Sequence, residues 1–578
     1  KKKSLNILNK FYIIMGRVFW CSFFNVTLFI IGVVLFIMGF ITQYVIFKNV
    51  MESQVKEQFI IDGNINGTNL NQFTDQWLNN KYTKYMNYYI YNYTNPIEIL
   101  TRGSLPDVTE KGPYSYKEEW VHYNLSFSND KNYFTFSRKK IYTFDPSKSC
   151  DTCKENDIFL VPDLIFIKLI DQLMYLDCEN LPKQIQSLLC NNSTNGSSDF
   201  NNIMNEIMNL IGTGMKAWNV GPFVKVKVND LLFNGYKDPI FTKMITNILD
   251  IVSGLLGKKN NGTTFDFPTV ALNQNNNTIG LIYTVKTGKF NYTEVGQTYS
   301  FTNQFKNFSS SGSYLPNEWW PGNDNLKKCT KNDIDNARLM KGTNGDFFSP
   351  FLEKSDILWL YSEDLCRSVS FYYYSDITVK NVPGYRFIVN DNGFNYSLPD
   401  NCGYCYPLDG NYYSYKKGDQ CLPIGLTDIS RCTNENPPLV LSNPHFYGSE
   451  EDVFRLFPRF IPTEVIDQTT LDIEPTTGTV LSASQKIQIN VMMKQYTNIS
   501  VFKLMKSGAY PICYVNETFL IDDDTISQIN DQLLDPKNLV KILSFSIGVG
   551  LGALLMVLSI ISCLVLKCYK NSDKKKEM

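Results

Sequence analysis

Cysteine and histidine are the residues in this sequence best suited to redox, nucleophilic or metal chemistry, and their spacing decides how far each reading goes. Cys150 and Cys153 stand at Cys-x-x-Cys spacing, the arrangement of a redox pair. No strand–helix–strand pattern of the thioredoxin type surrounds them, so structural staples are expected, together with Cys178 and Cys190. Six more cysteines, Cys329, Cys366, Cys402, Cys405, Cys421 and Cys432, cluster over 329–432, and number alone leaves many pairings open. Eleven of the fourteen cysteines lie between residues 49 and 540, so at least one stays unpaired or bridges chains; Cys513, in the apolar run Tyr510 to Val515, is read as a buried free thiol. His122 and His445 are the two histidines, far apart and without an acid or cysteine at ligand spacing, which removes the residue sets of zinc hydrolases and of His-based nucleophile systems. The expectation is a non-enzyme with no catalytic, cofactor-binding or metal site. Asn-x-Ser/Thr sequons stand at Asn66, Asn92, Asn124, Asn191, Asn192, Asn195, Asn261, Asn276, Asn291, Asn307, Asn395, Asn498 and Asn516, a density suited to a glycosylated surface in an asparagine-rich chain. Sequons and cysteines together point to an oxidising compartment.

The elements that must hold these residues begin with two membrane spans. No charge occurs between Arg17 and Lys48, or between Lys541 and Lys567, and each run exceeds the roughly 20 residues that cross a hydrocarbon core. The first run is too long for the apolar core of a signal peptide and reads as an uncleaved anchor. Gly548-x-x-x-Gly552 in the second predicts close helix approach, to the first span or to another copy. The segments 1–17 and 567–578 carry ten Lys/Arg against two acids, which leaves the stretch between them at −9 in a chain of net charge −1. Basic ends place both tails in the cytosol, and an acidic body excludes a nucleic-acid binder. The expected organisation is a tail at 1–17, a transmembrane helix at 18–47, a glycosylated ectodomain at 48–541, a second transmembrane helix at 542–566 and a tail at 567–578.

Within the ectodomain, Leu70, Phe73 and Trp77 fall at helical spacing. Phe134, Phe136, Tyr142 and Phe144 alternate with polar neighbours, as do Val224, Val226 and Val228, and Ile487, Ile489 and Val491, which predicts half-buried strands. Between 157 and 257 the period turns helical, and the segment from Leu164 to Tyr175 has only a narrow polar stripe containing Lys168. Such a helix either packs a bundle core or offers an apolar capture surface; Phe166, Lys168, Ile170 and Lys216 are the capture candidates.

Five blocks then carry a resemblance: NPIEILTRGSLPDVTEKGPYSYKEEW at 95–120, NGYKDPIF at 234–241, FLEKSDILWLYSEDLCRSVSFYYYSD at 351–376, DISRCTNENPPLVLSNPHF at 428–446 and LDIEPTTGTVLSASQKIQINV at 471–491. In this ordered series, over nearly the whole chain, the sequence resembles the class B scavenger receptors. The resemblance implies an α+β membrane protein: two transmembrane helices around a large antiparallel β-barrel-like ectodomain, with an apical helical bundle at about 150–257 and an apolar tunnel. It implies binding of lipids, sterols, lipoproteins or other apolar or anionic ligands at the apical helices and transfer of lipid towards the membrane, or docking of a lumenal hydrolase or particle-surface ligand, and it allows a homo-oligomer. It also implies the pairing Cys329–Cys402, Cys366–Cys432 and Cys405–Cys421, and palmitoylation at the cytosolic boundary, where Cys568 is the foremost candidate before Cys563 and Cys21. A departure is that no histidine lies between 123 and 444, where the lysosomal branch uses one as a pH sensor. A two-span ligand-gated channel shares the gross plan and is the minor alternative. Endosomal, lysosomal and plasma membranes are the expected addresses, with retrieval to the endoplasmic reticulum a further reading of the terminal Lys575-Lys576-Glu577-Met578.

Overall fold

The computed structural model describes residues 23–79, 83–175, 198–218, 221–255, 269–273, 275–305, 307–320, 329–389, 393–405, 421–433, 437–496, 499 and 501–576. The chain forms two compact units, one from its terminal segments up to Gln58 and from Asp523, the other from Phe59–Asp522.

In the terminal unit, the helices Phe23–Gln58 and Asp523–Val565 are each long and apolar enough to cross a membrane. They approach through glycine: a Cβ on Gly548 would lie 2.4 Å from the Cα of Gly39, and one on Gly552 would lie 2.7 Å from the carbonyl oxygen of Gly32. The Gly548-x-x-x-Gly552 spacing thus serves contact with the first helix of the same chain. Polar ties reinforce it, with Asn25 Nδ2 donating to Ser562 Oγ at 2.9 Å and Ser544 Oγ to Gln43 Oε1 at 2.9 Å.

The ectodomain is built on one large antiparallel sheet. Its long central strands are β1 (Thr83–Tyr93), β2 (Val108–Phe127), β3 (Tyr133–Phe144), β15 (Thr479–Met493) and β16 (Gly508–Leu520). From one edge the order is β8 (Phe308–Ser309), β7 (Thr298–Asn303), β6 (Ile279–Lys286), β3, β2, β1, β16, β15, β14 (Thr470–Glu474), β11 (Val382–Val389), β10 (Arg367–Val379) and β9 (Leu358–Ser362), while β13 (Leu439–Ser442) also pairs with β15 and β12 (Thr427–Asp428) pairs with β13. Gly342 and Thr343 join the two ends, because Thr298 N donates to Gly342 O and Tyr361 N to Thr343 O. Gly342 has φ +80° and a Cβ there would lie 1.7 Å from Trp359 O, so only glycine fits the seam. The sheet therefore curls on itself, and the inward phase of each strand lines an interior.

One end of that interior is filled by the helix Gln72–Leu78, started by Asn71, whose side chain accepts from Thr74 N. Trp77 is buried against Phe134, Phe136 and Phe347. Elsewhere lie β4 (Ile158–Pro162) paired with β5 (Phe223–Lys227), and the helices Leu164–Tyr175, Ser198–Trp218 and Pro239–Leu255. Asp163 and Asp238 cap two of these helices through backbone N–H groups at Ile165 and at Ile240. Phe166 and Ile170 are fully buried, with the Phe166 ring against Phe241 and Phe502. That corrects the capture reading for both residues: a helix apolar around most of its circumference buries most of its circumference.

Candidate functional site

Strand register decides which side chains meet inside the sheet. Lys84, Met86 and Tyr88 share one face of β1, since side chains alternate along a strand. Glu118 stands opposite Lys84, Glu517 opposite Met86, Tyr142 opposite Glu118 and Lys140 opposite Trp120. These positions line two adjoining cavities. The larger, about 470 Å³, is bounded on the sheet side by Leu441, Ile487, Ile489 and Val515 and on the helical side by Leu164, Ile165, Lys168 and Leu169. The smaller, about 110 Å³, contains Lys84, Trp120, Arg138 and Asp346. Lys140, Glu363, Asp364 and Glu517 border both. A chamber with apolar walls thus meets an ionic layer, where the resemblance implied an apolar tunnel.

The layer is held by charge-assisted bonds. Arg138 Nη2 donates to Asp346 Oδ2 at 2.6 Å, and both side chains are almost wholly buried. Trp77 Nε1 and Asn344 Nδ2 donate to the same oxygen at 3.0 and 2.8 Å. Burial alone would raise the Asp346 carboxyl, but Arg138 and Lys84 outweigh it and hold the group below the ordinary range. Lys140 Nζ donates to Glu363 Oε1 at 2.7 Å, and Tyr283 donates to the other oxygen of Glu363. The Lys84 ammonium lies 3.0 Å from the ring centroid of Trp120, a cation–π contact in a desolvated setting; burial lowers its pKa, with Asp346 opposing. Glu517 moves the other way, pushed up to about 7 by burial and then by the neighbouring Glu118.

A second polar cluster ties the sheet to its loops. His445 Nδ1 is 2.7 Å from Asp467 and its Nε2 is 2.8 Å from Glu110, while its backbone N–H donates to Gln488 Oε1. Burial opposes the charged ring, but hydrogen bonds to the two carboxylates raise its pKa to about 9. Both ring nitrogens are thereby taken up by carboxylate oxygens. His122 does the reverse, lowered to about 4 by burial and by Arg138.

The remaining sequence candidates fall as follows. Lys168 lines the large cavity, whereas Lys216 is exposed and outside its lining. Cys329–Cys402, Cys366–Cys432, Cys405–Cys421 and Cys150–Cys153 are disulfide-bonded. Cys513 is a buried free thiol, with burial raising its pKa to about 12. Cys563 is exposed on the second apolar helix; Cys21, Cys178, Cys190 and the side chain of Cys568 lie outside the described residues. Among the sequons, Asn66, Asn124, Asn291 and Asn307 are exposed, while Asn92, Asn276, Asn395 and Asn516 are half-buried. Asn92 Oδ1 accepts from Leu160 N and Asn276 Oδ1 from Tyr142 N. Asn191, Asn192, Asn195, Asn261 and Asn498 lie outside the described residues.

Sequence reasoning missed the ionic layer, although its signal was present: Arg138 and Lys140 share the phase of Phe136 and Tyr142, and Glu118 shares that of Tyr116 and Trp120. A charged residue on the inward phase of a strand is the mark to look for.

The model of the CD36 family matches residues 30–563. The chain belongs to the CD36 family. This class B scavenger receptor, a two-span membrane protein, is 39% identical to an uncharacterised protein, C03F11.3, of Caenorhabditis elegans, over 95% of this chain and 97% of that one. It is 25% identical to the human lysosome membrane protein 2, over 84% of each chain. With sensory neuron membrane protein 1 of Antheraea polyphemus it shares 26% identity over 91% of this chain and 88% of that protein. CD36 family membership thus spans both apolar helices and the whole sheet.

Proposed function

We propose that this CD36 family member holds a lipid in its large ectodomain cavity and passes it towards the bilayer in which its terminal helices are anchored. The observation that carries the reading is the chamber of about 470 Å³ lined by Leu441, Ile487, Ile489 and Val515 beneath the helix Leu164–Tyr175. A volume of this size suits a ligand of acyl or sterol dimensions, and each methylene moved from water into it gains about 0.8 kcal/mol. The helix walls the chamber and contributes Leu164, Ile165, Lys168 and Leu169 to its lining. Basic flanks at Lys1 to Lys3 and Lys574 to Lys576 support cytosolic ends, and the likeness to lysosome membrane protein 2 supports an endosomal or lysosomal address.

The test is transfer of a fluorescent sterol or phospholipid by the full chain in nanodiscs. Ile489→Trp fills the chamber from β15 and is expected to abolish retention of the probe while the melting temperature stays put. Undiminished binding by that variant, with an unchanged melt, would overturn the reading.

A further inference from the structure

Inside the ectodomain the basic side chains of the sheet already have carboxylate partners. Asp346 takes Arg138 at 2.6 Å and Lys84 at 4.0 Å, and Glu363 takes Lys140 at 2.7 Å. Two carboxylates that face the larger cavity are in no ion pair among the described residues, although Lys84 and Lys140 act on Glu517 from farther away. Glu118 is 3% exposed; its Oε1 accepts from Trp120 Nε1 and Tyr142 Oη, and its Oε2 is buried with no hydrogen-bond partner. Glu517 lines the same cavity and makes no side-chain hydrogen bond or ion pair among the described residues. Register brings the two together across β1, Glu118 opposite Lys84 and Glu517 opposite Met86 on the same face.

A carboxylate withdrawn from water needs a hydrogen-bond donor, and two of them side by side need positive charge or a proton. A carboxylate head on a bound lipid would add a third negative charge to this spot. A hydroxyl head has a single O–H to give and leaves both charges in place. An ammonium offers three donors and a positive charge in direct contact. We propose that the cavity takes a long-chain amphiphile headed by a protonated primary amine, its ammonium donating to Glu118 Oε2 and to the Glu517 carboxylate while its chain lies along Leu441, Ile487, Ile489 and Val515. The proposal rests on the reading of this cavity as a lipid site, and it adds the head group that the site selects. Burial and Glu118 push the Glu517 carboxyl up to about 7, as expected of a carboxyl that keeps a proton when no ligand cation is bound. The charged or titratable groups acting on Glu517 are Glu118 from β2, Lys84 from β1, Lys140 from β3 and Asp364 after β9.

The experiment measures binding of octadecylamine, octadecanol and octadecanoate to the full chain in nanodiscs, with empty nanodiscs as the blank, at pH 8 and pH 5. At pH 8 the amine is expected to bind at least tenfold more tightly than the carboxylate. Glu517→Gln and Glu118→Gln should each remove most of that preference and leave octadecanol binding within about twofold, which also reports that the variants are folded. At pH 5, where the Glu517 proton must be displaced, the amine preference should shrink several-fold. Equal binding of amine and carboxylate by the unaltered protein overturns the head-group proposal and leaves the lipid site standing. Failure of all three to bind overturns the lipid site as well. Should a Gln variant lose octadecanol too, the ratio in the unaltered protein still decides.

Discussion

The His445 cluster allows a stability change to be worked out from structure. Replacing His445 by Gln keeps a polar side chain but removes the positive charge between Asp467 and Glu110, which lie 2.7 and 2.8 Å from its ring nitrogens. Folding raises the pKa of the ring from 6.5 to about 9. At about 1.4 kcal/mol per pKa unit, the protonated ring is worth about 3 kcal/mol to the folded state. The sign follows from proton uptake. Below pH 6.5 the ring is charged in both folded and unfolded chains and the contribution is complete; between 6.5 and about 9 only the folded chain keeps the proton, so stability falls as pH rises, and above about 9 the contribution is gone. Denaturant titrations of the full chain in detergent at intervals from pH 6 to pH 9.5 read this directly. The unaltered protein should lose about 3 kcal/mol across that range relative to His445→Gln. Parallel curves for the two proteins, or a gap that widens with rising pH, would refute the reasoning.

Three other outcomes are expected. Asp346→Asn strands the buried Arg138 guanidinium and should cost about 3–5 kcal/mol in denaturant melts, whereas the pair of changes Asp346→Asn with Arg138→Met should cost clearly less than Asp346→Asn alone. Phe166→Glu places a carboxylate in a fully buried site against Phe241 and Phe502 and should lower the melting temperature, with lipid binding lost only in proportion to unfolding. Mass spectrometry of glycopeptides should find Asn66, Asn124, Asn291 and Asn307 occupied, and Asn92 and Asn276 bare, because the latter two carboxamides are bound to backbone N–H groups of Leu160 and Tyr142.

Much of this fold is legible from neighbouring residues. The two uncharged runs read as spans because length and apolarity are local properties, and the glycine spacing at Gly548 and Gly552 foretold a close helix contact. Alternation at Phe134 to Phe144 gave a strand, and apolar crowding from Leu164 to Tyr175 gave a helix. What the helix covers was not legible: with nearly every face apolar, Phe166 had no phase to mark it as core or surface, and only its packing against Phe241 and Phe502 decided the matter. The five sequence blocks placed the chain among the class B scavenger receptors, yet they said nothing of the ionic layer. Glu118, Arg138 and Lys140 fall on the inward phase of their strands, so the sequence puts them inside; it does not put Arg138 beside Asp346, 208 residues away. His445 likewise shows no acid at ligand spacing, because Glu110 is 335 residues distant and Asp467 arrives from a separate short helix. The period of an element is set by residues a few positions apart, whereas the partner of a side chain is set by strand register and by closure of the sheet at Gly342. Those two are fixed only when the whole chain has folded.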